Sequence, residues 1–266
     1  MITIREAFAK AKAEGRAALI PYVTAGYPDL ARLRGLVAAL TEAGADVIEI
    51  GIPFSDPLAD GPVLQHAATE ALRRGTRVKD ILAAVETFAT SSAPLVFLTY
   101  INPVFHYGIE QFSADSKQVG IQGLIVPDLP WVEGRDMRRS AEKSGLALIP
   151  LVAPTSTDAH LRAIRTAKGF VYGVSVTGVT GARQAVDAGV AGLVARVKEH
   201  VNLPVAVGFG IASPDQAREV GQLADGVIVG SALVDAIGKN PDQAEQTAFG
   251  FVRDLRMALD NIATKA

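Results

Sequence analysis

Apolar positions along this chain follow two alternating rhythms. Short runs rich in β-branched residues recur over 18–23, 46–51, 95–100, 123–126, 146–152, 170–174, 204–207 and 226–229. They are mostly continuous rather than alternating, the pattern of parallel strands covered on both faces. Each leads through a Gly, Pro or Asp turn into a longer stretch at helical spacing: 30–43, 63–74, 78–89, 110–119, 132–143, 159–166, 190–200 and 216–221. A short segment, 232–237, follows the last run, and a helical tail over 242–263 closes the chain. Ahead of the first run, Ile4, Phe8 and Ala11 share a helical face among Arg5, Glu6, Lys10 and Lys12, predicting an amphipathic helix ended at Gly15 that acts as a plug or lid.

Eight such units in about 250 residues have the length and rhythm of an α/β barrel. The expected architecture is a single (β/α)8 TIM barrel over residues 1–266 with an extra N-terminal helix. An open doubly wound sheet is the competitor, but no Gly-x-Gly-x-x-Gly follows the first run to support dinucleotide binding. No linker, charge block or low-complexity tract divides the chain.

Composition narrows the classes. The 266 residues are 49% hydrophobic, enough for a large core, and 26 basic against 28 acidic residues give a formal charge of -2. There is no basic excess to draw the chain to nucleic acid or an anionic membrane. With no cysteine, disulfides, Cys-ligated zinc and thiol catalysis are excluded. The N-terminus alternates apolar and charged residues too finely for a signal peptide, and no window approaches the ~18 apolar residues of a membrane span. A soluble cytoplasmic protein is expected.

In a barrel, the loops after the strands share one face, and a site belongs there. The second run carries Glu49 between Ile48 and Ile50 and leads into a Gly/Pro-rich loop with Asp56 and Asp60. Strand alternation groups Val47 with Glu49 and Ile48 with Ile50, so helices covering the isoleucines turn Glu49 toward the barrel mouth. Apolar surroundings there raise a carboxyl pKa into the range of an acid/base catalyst. The plainer alternatives are a structural carboxylate at Glu49 and a turn-shaping Asp60 before Pro62, and spacing alone does not decide between them. Gly208, Phe209 and Gly210 after the seventh run, and Gly230 and Ser231 after the eighth, suit phosphate binding at a helix N-terminus. The glycine-rich stretch 177–181, with Thr180 and Gly181, suits a mobile lid on the same rim. Tyr22, Leu98, Tyr100, Ile125, Val152, Tyr172, Phe209 and Ile228 stand at run ends, where they form either barrel core or a flat apolar pocket. No lysine falls at the C-terminal end of a run, as a Schiff-base aldolase needs, and His66, His106, His160 and His200 show no metal-ligand spacing.

Five stretches, 19–26, 49–62, 123–130, 172–181 and 208–211, closely resemble the tryptophan synthase α-subunit family, and the likeness spans essentially the whole chain. The resemblance implies retro-aldol cleavage of indole-3-glycerol phosphate to indole and glyceraldehyde 3-phosphate, with no metal or organic cofactor in this chain. It implies that Glu49 is the acid/base carboxylate and that Asp60 engages the indole N-H. Tyr172 then stands beside the substrate, and Thr180 helps position Asp60. Gly181, Phe209, Gly210, Gly230 and Ser231 match the phosphate site, and Tyr22, Leu98, Tyr100, Ile125 and Val152 match pocket positions. Tyr22 stands where some relatives carry phenylalanine, and Val176 where some carry arginine. The family further implies a β-subunit partner in an α2β2 heterotetramer. Its pyridoxal phosphate joins channelled indole to L-serine, and Asp56, Pro57 and Asn102 lie on the contact face. Two other readings stay open on the residues themselves: a barrel enzyme acting on another phosphorylated aromatic precursor, and a noncatalytic subunit that activates a partner.

Overall fold

The computed structural model describes residues 2–88, 92–174, 183–208 and 210–261, without the side chains of 183–188. Its strands are β1 (Ala18–Thr24), β2 (Ile48–Gly51), β3 (Leu95–Leu98), β4 (Ile121–Ile125), β5 (Ala147–Ile149), β6 (Leu151–Val152), β7 (Val171–Val174), β8 (Val205–Gly208) and β9 (Gly226–Val229). The helices are α1 (Ile4–Ala13), α2 (Leu33–Glu42), α3 (Pro62–Arg73), α4 (Val78–Glu86), α5 (Ile101–Tyr107), α6 (Ile109–Gln118), α7 (Arg135–Ser144), α8 (Asp158–Ala163), α9 (Arg183–His200), α10 (Pro214–Gly221), α11 (Ser231–Lys239) and α12 (Ala244–Asp260).

The described strands form one parallel sheet in the order β5-β4-β3-β2-β1-β9-β8-β7-β6. Its two ends are consecutive in the chain and flank Pro150, so the sheet closes into the expected barrel. The expected run 146–152 is therefore two short strands. Pro150 has no N-H for a ladder, and its carbonyl accepts from Tyr172 N at 2.9 Å. Ahead of Pro150 the chain pairs with β4, and after it with β7.

Two apolar layers follow the strand alternation. Ile48, Ile50, Phe97, Leu124 and Val207 pack outward under the helices, while Ala18, Ile20, Val47, Val96, Ile125, Ile149 and Ile228 fill the barrel. The N-terminal helix is a plug. Ile4 and Phe8 join the interior cluster, Phe8 stacks on Phe170 at 5.4 Å, and a Cβ at Gly226 would come within 3.0 Å of the Phe8 ring. A Thr3/Glu6 capping box starts α1, and Gln122 on β4 holds it by accepting from Ile4 N and donating to the Ile2 carbonyl.

Several boundaries differ from the sequence expectation. The third run ends at Leu98 because Thr99 and Tyr100 turn to start α5, a helix not anticipated because Pro103 sits in it; the first turn tolerates proline. Residues 46 and 47 precede β2 because Asp46 turns to accept from Leu19 N. The helix expected over 190–200 reaches back to Arg183. No helix among the described residues is long and apolar enough to cross a membrane.

Candidate active site

Glu49 sits on β2 in register with Tyr22 on β1 and Val96 on β3. It is 1% exposed, and among the described residues neither carboxyl oxygen has a hydrogen-bond partner. A structural carboxylate would be tied to backbone or hydroxyl groups; this one is not. Burial, and after it the charge of Asp60, pushes the Glu49 carboxyl up to about 8, so it is held largely neutral at pH 7.

Asp60 closes the loop after β2. Gly61 is the N-cap of α3 and Pro62 its first residue, with no side-chain cap, so the Asp60 carboxylate is not spent on starting the helix. It is hydrogen-bonded to the Tyr100 hydroxyl instead. Burial raises its pKa, and the Tyr100 bond partly offsets that rise. The loop backbone is fixed by Ala59 N donating to Tyr100 Oη at 3.0 Å, Asp60 N to the Pro57 carbonyl at 3.0 Å and Gln65 Nε2 to the Asp60 carbonyl at 2.8 Å. Tyr100 thus anchors the loop and orients its acid.

Tyr22, Tyr100 and Tyr172 converge on the two carboxyls. Burial first, then the neighbouring acids, raise all three phenol pKa values, so they remain neutral hydrogen-bonding groups. Thr24 Oγ1 donates to Tyr22 Oη at 3.2 Å, and the Tyr22 phenol lies across the α-carbon of Gly51, where a Cβ would overlap it. Leu98, Ile125 and Ile228 supply the apolar wall. Val152 does not: it packs in the outer layer under the helices, and Leu151 turns inward with Tyr172. Assigning Val152 to the pocket misjudged the alternation across Pro150, which leaves Ala147, Ile149 and Leu151 on the interior side.

Two strands along from the acids, Gly230 is the N-cap of α11 and Ser231 its exposed first residue, with no side-chain cap over the helix N-terminus. Gly230 lies against Tyr22, which would stand 3.6 Å from a Cβ there. Gly210 is exposed with φ +58°. These N-H groups can hold an anion at the rim. Thr180, Gly181 and Phe209 lie outside the described residues, as does Val176.

Asp56 and Asn102 are exposed beside the mouth, Pro57 is half-buried, and Ser55 Oγ donates to Asp56. Sequence reading missed their apolar neighbours. Leu58 is 90% exposed, Val132 72% and Phe105 58%; Leu58 and Val132 lie in the connections after β2 and β4, and Phe105 on α5 after β3. Among the described residues no group of three or more His, Asp or Glu could hold a metal ion, and no lysine stands at the C-terminal end of a strand.

Known proteins match this architecture along its length. A family model described as "Tryptophan synthase alpha chain" matches residues 8–260. The tryptophan synthase alpha chain of Thermoanaerobacter sp. (strain X514) is 47% identical over 262 residues, covering 97% of this chain and 100% of the relative. That of Synechococcus elongatus is 46% identical, covering 98% of each. Among solved structures, the tryptophan synthase alpha chain of Legionella pneumophila superposes with a TM-score of 0.91 at 34% identity, covering 99% of both chains. A chain of M. tuberculosis tryptophan synthase in its open form superposes at 0.87 and 40% identity, with 97% of this chain and 98% of that one covered. On these matches the chain belongs to the tryptophan synthase alpha chain family, the carbon-carbon lyase that cleaves indole-3-glycerol phosphate to indole and glyceraldehyde 3-phosphate in tryptophan biosynthesis.

Proposed function

We propose that Glu49 and Asp60 divide the proton work of this cleavage. Asp60 accepts a hydrogen bond from the indole N-H and stabilises the positive charge that forms on the ring. The neutral Glu49 carboxyl donates its proton to indole C3, giving the indolenine. The bond between C3 and the glycerol side chain then breaks, its electron pair returning to the ring, while the Glu49 carboxylate takes the proton of the adjacent side-chain hydroxyl. That hydroxyl carbon becomes the aldehyde, and Glu49 ends protonated as it began. The observation that carries this reading is a fully buried carboxyl with no partner, facing a second acid that Tyr100 already holds. Tyr22, Leu98, Tyr100, Ile125, Tyr172 and Ile228 enclose the indole, joined by Leu151 in place of Val152. Gly210, Gly230 and Ser231, with Gly181 and Phe209, take the phosphate, and Thr180 helps position Asp60.

Alpha chains of this family need no cofactor of their own; pyridoxal phosphate resides in the beta chain. We read residues 1–266 as one domain that pairs with a beta subunit in an α2β2 heterotetramer and passes indole to it for condensation with L-serine. Exposed Leu58, Phe105 and Val132, around Asp56, Pro57 and Asn102, support a docking face at the mouth, since large apolar side chains clustered on one face mark a protein contact. A cytoplasmic location goes with a phosphorylated substrate, which does not cross a bilayer unaided.

Indole release from indole-3-glycerol phosphate, with and without a beta subunit, tests the reading. Glu49→Gln should lose about 10²-fold or more in kcat, the size of a general acid/base contribution. Full activity in that variant would refute the role of Glu49. Leu58→Asp or Phe105→Asp should abolish partner stimulation, and undiminished stimulation would move the docking face elsewhere.

A further inference from the structure

The helical jacket is thin at one place. Among the described residues, the barrel between α7 and α9 is covered only by α8, six residues long, and a 3-10 turn over Ile164–Thr166. Leu148, on the outer side of β5, is left half-buried there. Two cavities open in the gap and share Trp131 and Leu148 as a common wall. The inner one, of about 110 Å³, lies behind Pro150 and is mainly apolar, with Val126, Leu129 and Leu151 in its lining. Two of its polar groups are already bonded: His160 Nε2 bonds the Leu151 carbonyl at 3.0 Å, and Trp131 Nε1 donates to the Ala163 carbonyl at 3.0 Å. The outer one, of about 340 Å³, is rimmed by Arg135, Arg138, Arg139 and Lys168 against one carboxylate, Glu142.

These cations are not equivalent. Arg138 is committed to Trp131, donating to its carbonyl and stacking on its ring at 4.9 Å, so it holds the shared wall in place. Arg135, Arg139 and Lys168 enter no ion pair among the described residues, whereas Arg16, Arg32, Arg196 and Arg256 are each paired with a carboxylate. In a chain of net charge -2, three cations without an ion pair around a cleft that continues into a mainly apolar hole form a local site for the opposite charge.

We propose that this flank binds a small organic anion with a flat apolar body, its ring in the cavity behind Pro150 and its charged group on Arg135, Arg139 and Lys168. The cavity is mainly apolar and its two ring nitrogens are already bonded, so it favours a hydrocarbon ring, as dry apolar cavities somewhat larger than this one admit benzene. The guanidinium forks select a carboxylate or phosphate. The charged end of the site is separate from the barrel mouth, because the outer cavity is lined by α7, Leu146, Leu148 and residues 166–168.

Trp131 is the sole tryptophan and lines both cavities, so its emission reports occupancy directly. Phenylacetate, which joins one ring to one carboxylate, is titrated against the full chain with glycerol phosphate saturating the barrel mouth. A saturable change in Trp131 emission is expected, with benzyl alcohol and acetate each at least about tenfold weaker because each offers half of the recognition. Arg135→Ala/Arg139→Ala, both exposed and unpaired, should weaken phenylacetate at least about fivefold, and Lys168→Gln less, with thermal unfolding unchanged. The proposal is overturned if the emission change fails to saturate by about 10 mM, a Kd too weak for a formed site. It is also overturned if the double arginine variant binds equally well, or if acetate or benzyl alcohol matches phenylacetate.

Discussion

Glu49 and Asp60 share one buried electrostatic environment, yet only Asp60 is hydrogen-bonded, to the Tyr100 hydroxyl. The difference fits the roles proposed for the two acids. A carboxyl without partners is pushed toward its neutral form, and the charge of a neighbouring acid pushes it further; a carboxyl with a donor is held closer to ionised. With Glu49 raised to about 8, the enzyme meets its substrate with a proton ready on Glu49. As pH rises through about 8 that proton is lost, so kcat/KM should fall on the alkaline side with an apparent pKa near this value. The limb should vanish from the residual activity of Glu49→Gln. A flat profile from pH 7 to 9 in the parent enzyme would contradict the assignment.

The same shift predicts a stability difference. The folded-state pKa of Glu49 lies above its unfolded value of 4.5, so the folded protein binds the extra proton between 4.5 and about 8. Stability from this group is fully present below pH 4.5 and is lost as pH rises through about 8. Glu49→Gln, which stays neutral throughout, should be about as stable as the parent at acid pH. It should become more stable by up to a few kcal/mol, on the order expected for a buried carboxyl, by pH 9. Urea unfolding at several pH values measures the gap; a constant gap would mean that Glu49 titrates normally.

Tyr100→Phe removes the hydroxyl that accepts from Ala59 N and bonds the Asp60 carboxylate. Without that donor the Asp60 pKa should rise, moving the acid limb of kcat/KM to higher pH. The loop should loosen by about 1 kcal/mol, the net worth of one hydrogen bond. A variant with lowered activity but an unmoved acid limb would leave Tyr100 as pocket wall only.

Much of this site was legible because its signals were local. A carboxylate between two isoleucines shows in any reading of strand alternation, and Ile48 and Ile50 do pack outward while Val47 packs inward. The closure at Pro150 was not legible. Whether a proline divides a strand depends on what lies to each side, here β4 and β7, and the parity error at Val152 followed from that. Tyr100 as a latch was equally hidden, since Ala59 is 41 residues away and meets it only through the fold. Leu58, Phe105 and Val132 acquired meaning only when the fold left them exposed on the connections after three successive strands.

Gly51 is the residue that lets Tyr22 lie across β2. A Cβ there would overlap the phenol ring as well as its hydroxyl, so Gly51→Ala must displace Tyr22 from Thr24. Overpacking of this kind costs roughly 1–3 kcal/mol, and the displaced ring should raise KM. Pairing it with Tyr22→Leu should restore most of the stability, whereas Tyr22→Phe should not, because the ring itself collides. Equal recovery with phenylalanine would show that the hydroxyl alone sets the contact.

At the opposite end of the barrel, Asp46 holds together three elements far apart in sequence. It accepts from Leu19 N at 2.8 Å, from Arg16 Nη1 and Nη2 at 2.7 and 2.9 Å, and from Arg256 Nη1 of α12 at 3.1 Å. Asp46 and the two arginine side chains are all nearly buried. Asp46→Ala would leave two guanidiniums facing each other, with the half-exposed Glu14 beside Arg16 and Asp260 beside Arg256 as the remaining counter-charges. Breaking one member of a buried ionic network typically costs roughly 3–5 kcal/mol, and the midpoint of urea unfolding should fall accordingly. Asp260→Ala removes only the exposed partner and should cost less than about 1 kcal/mol. Because the network lies at the base of the barrel, the folded fraction of Asp46→Ala should retain the parent KM for indole-3-glycerol phosphate. A raised KM with unchanged stability would mean that Asp46 acts on the site and not on the anchoring of α12.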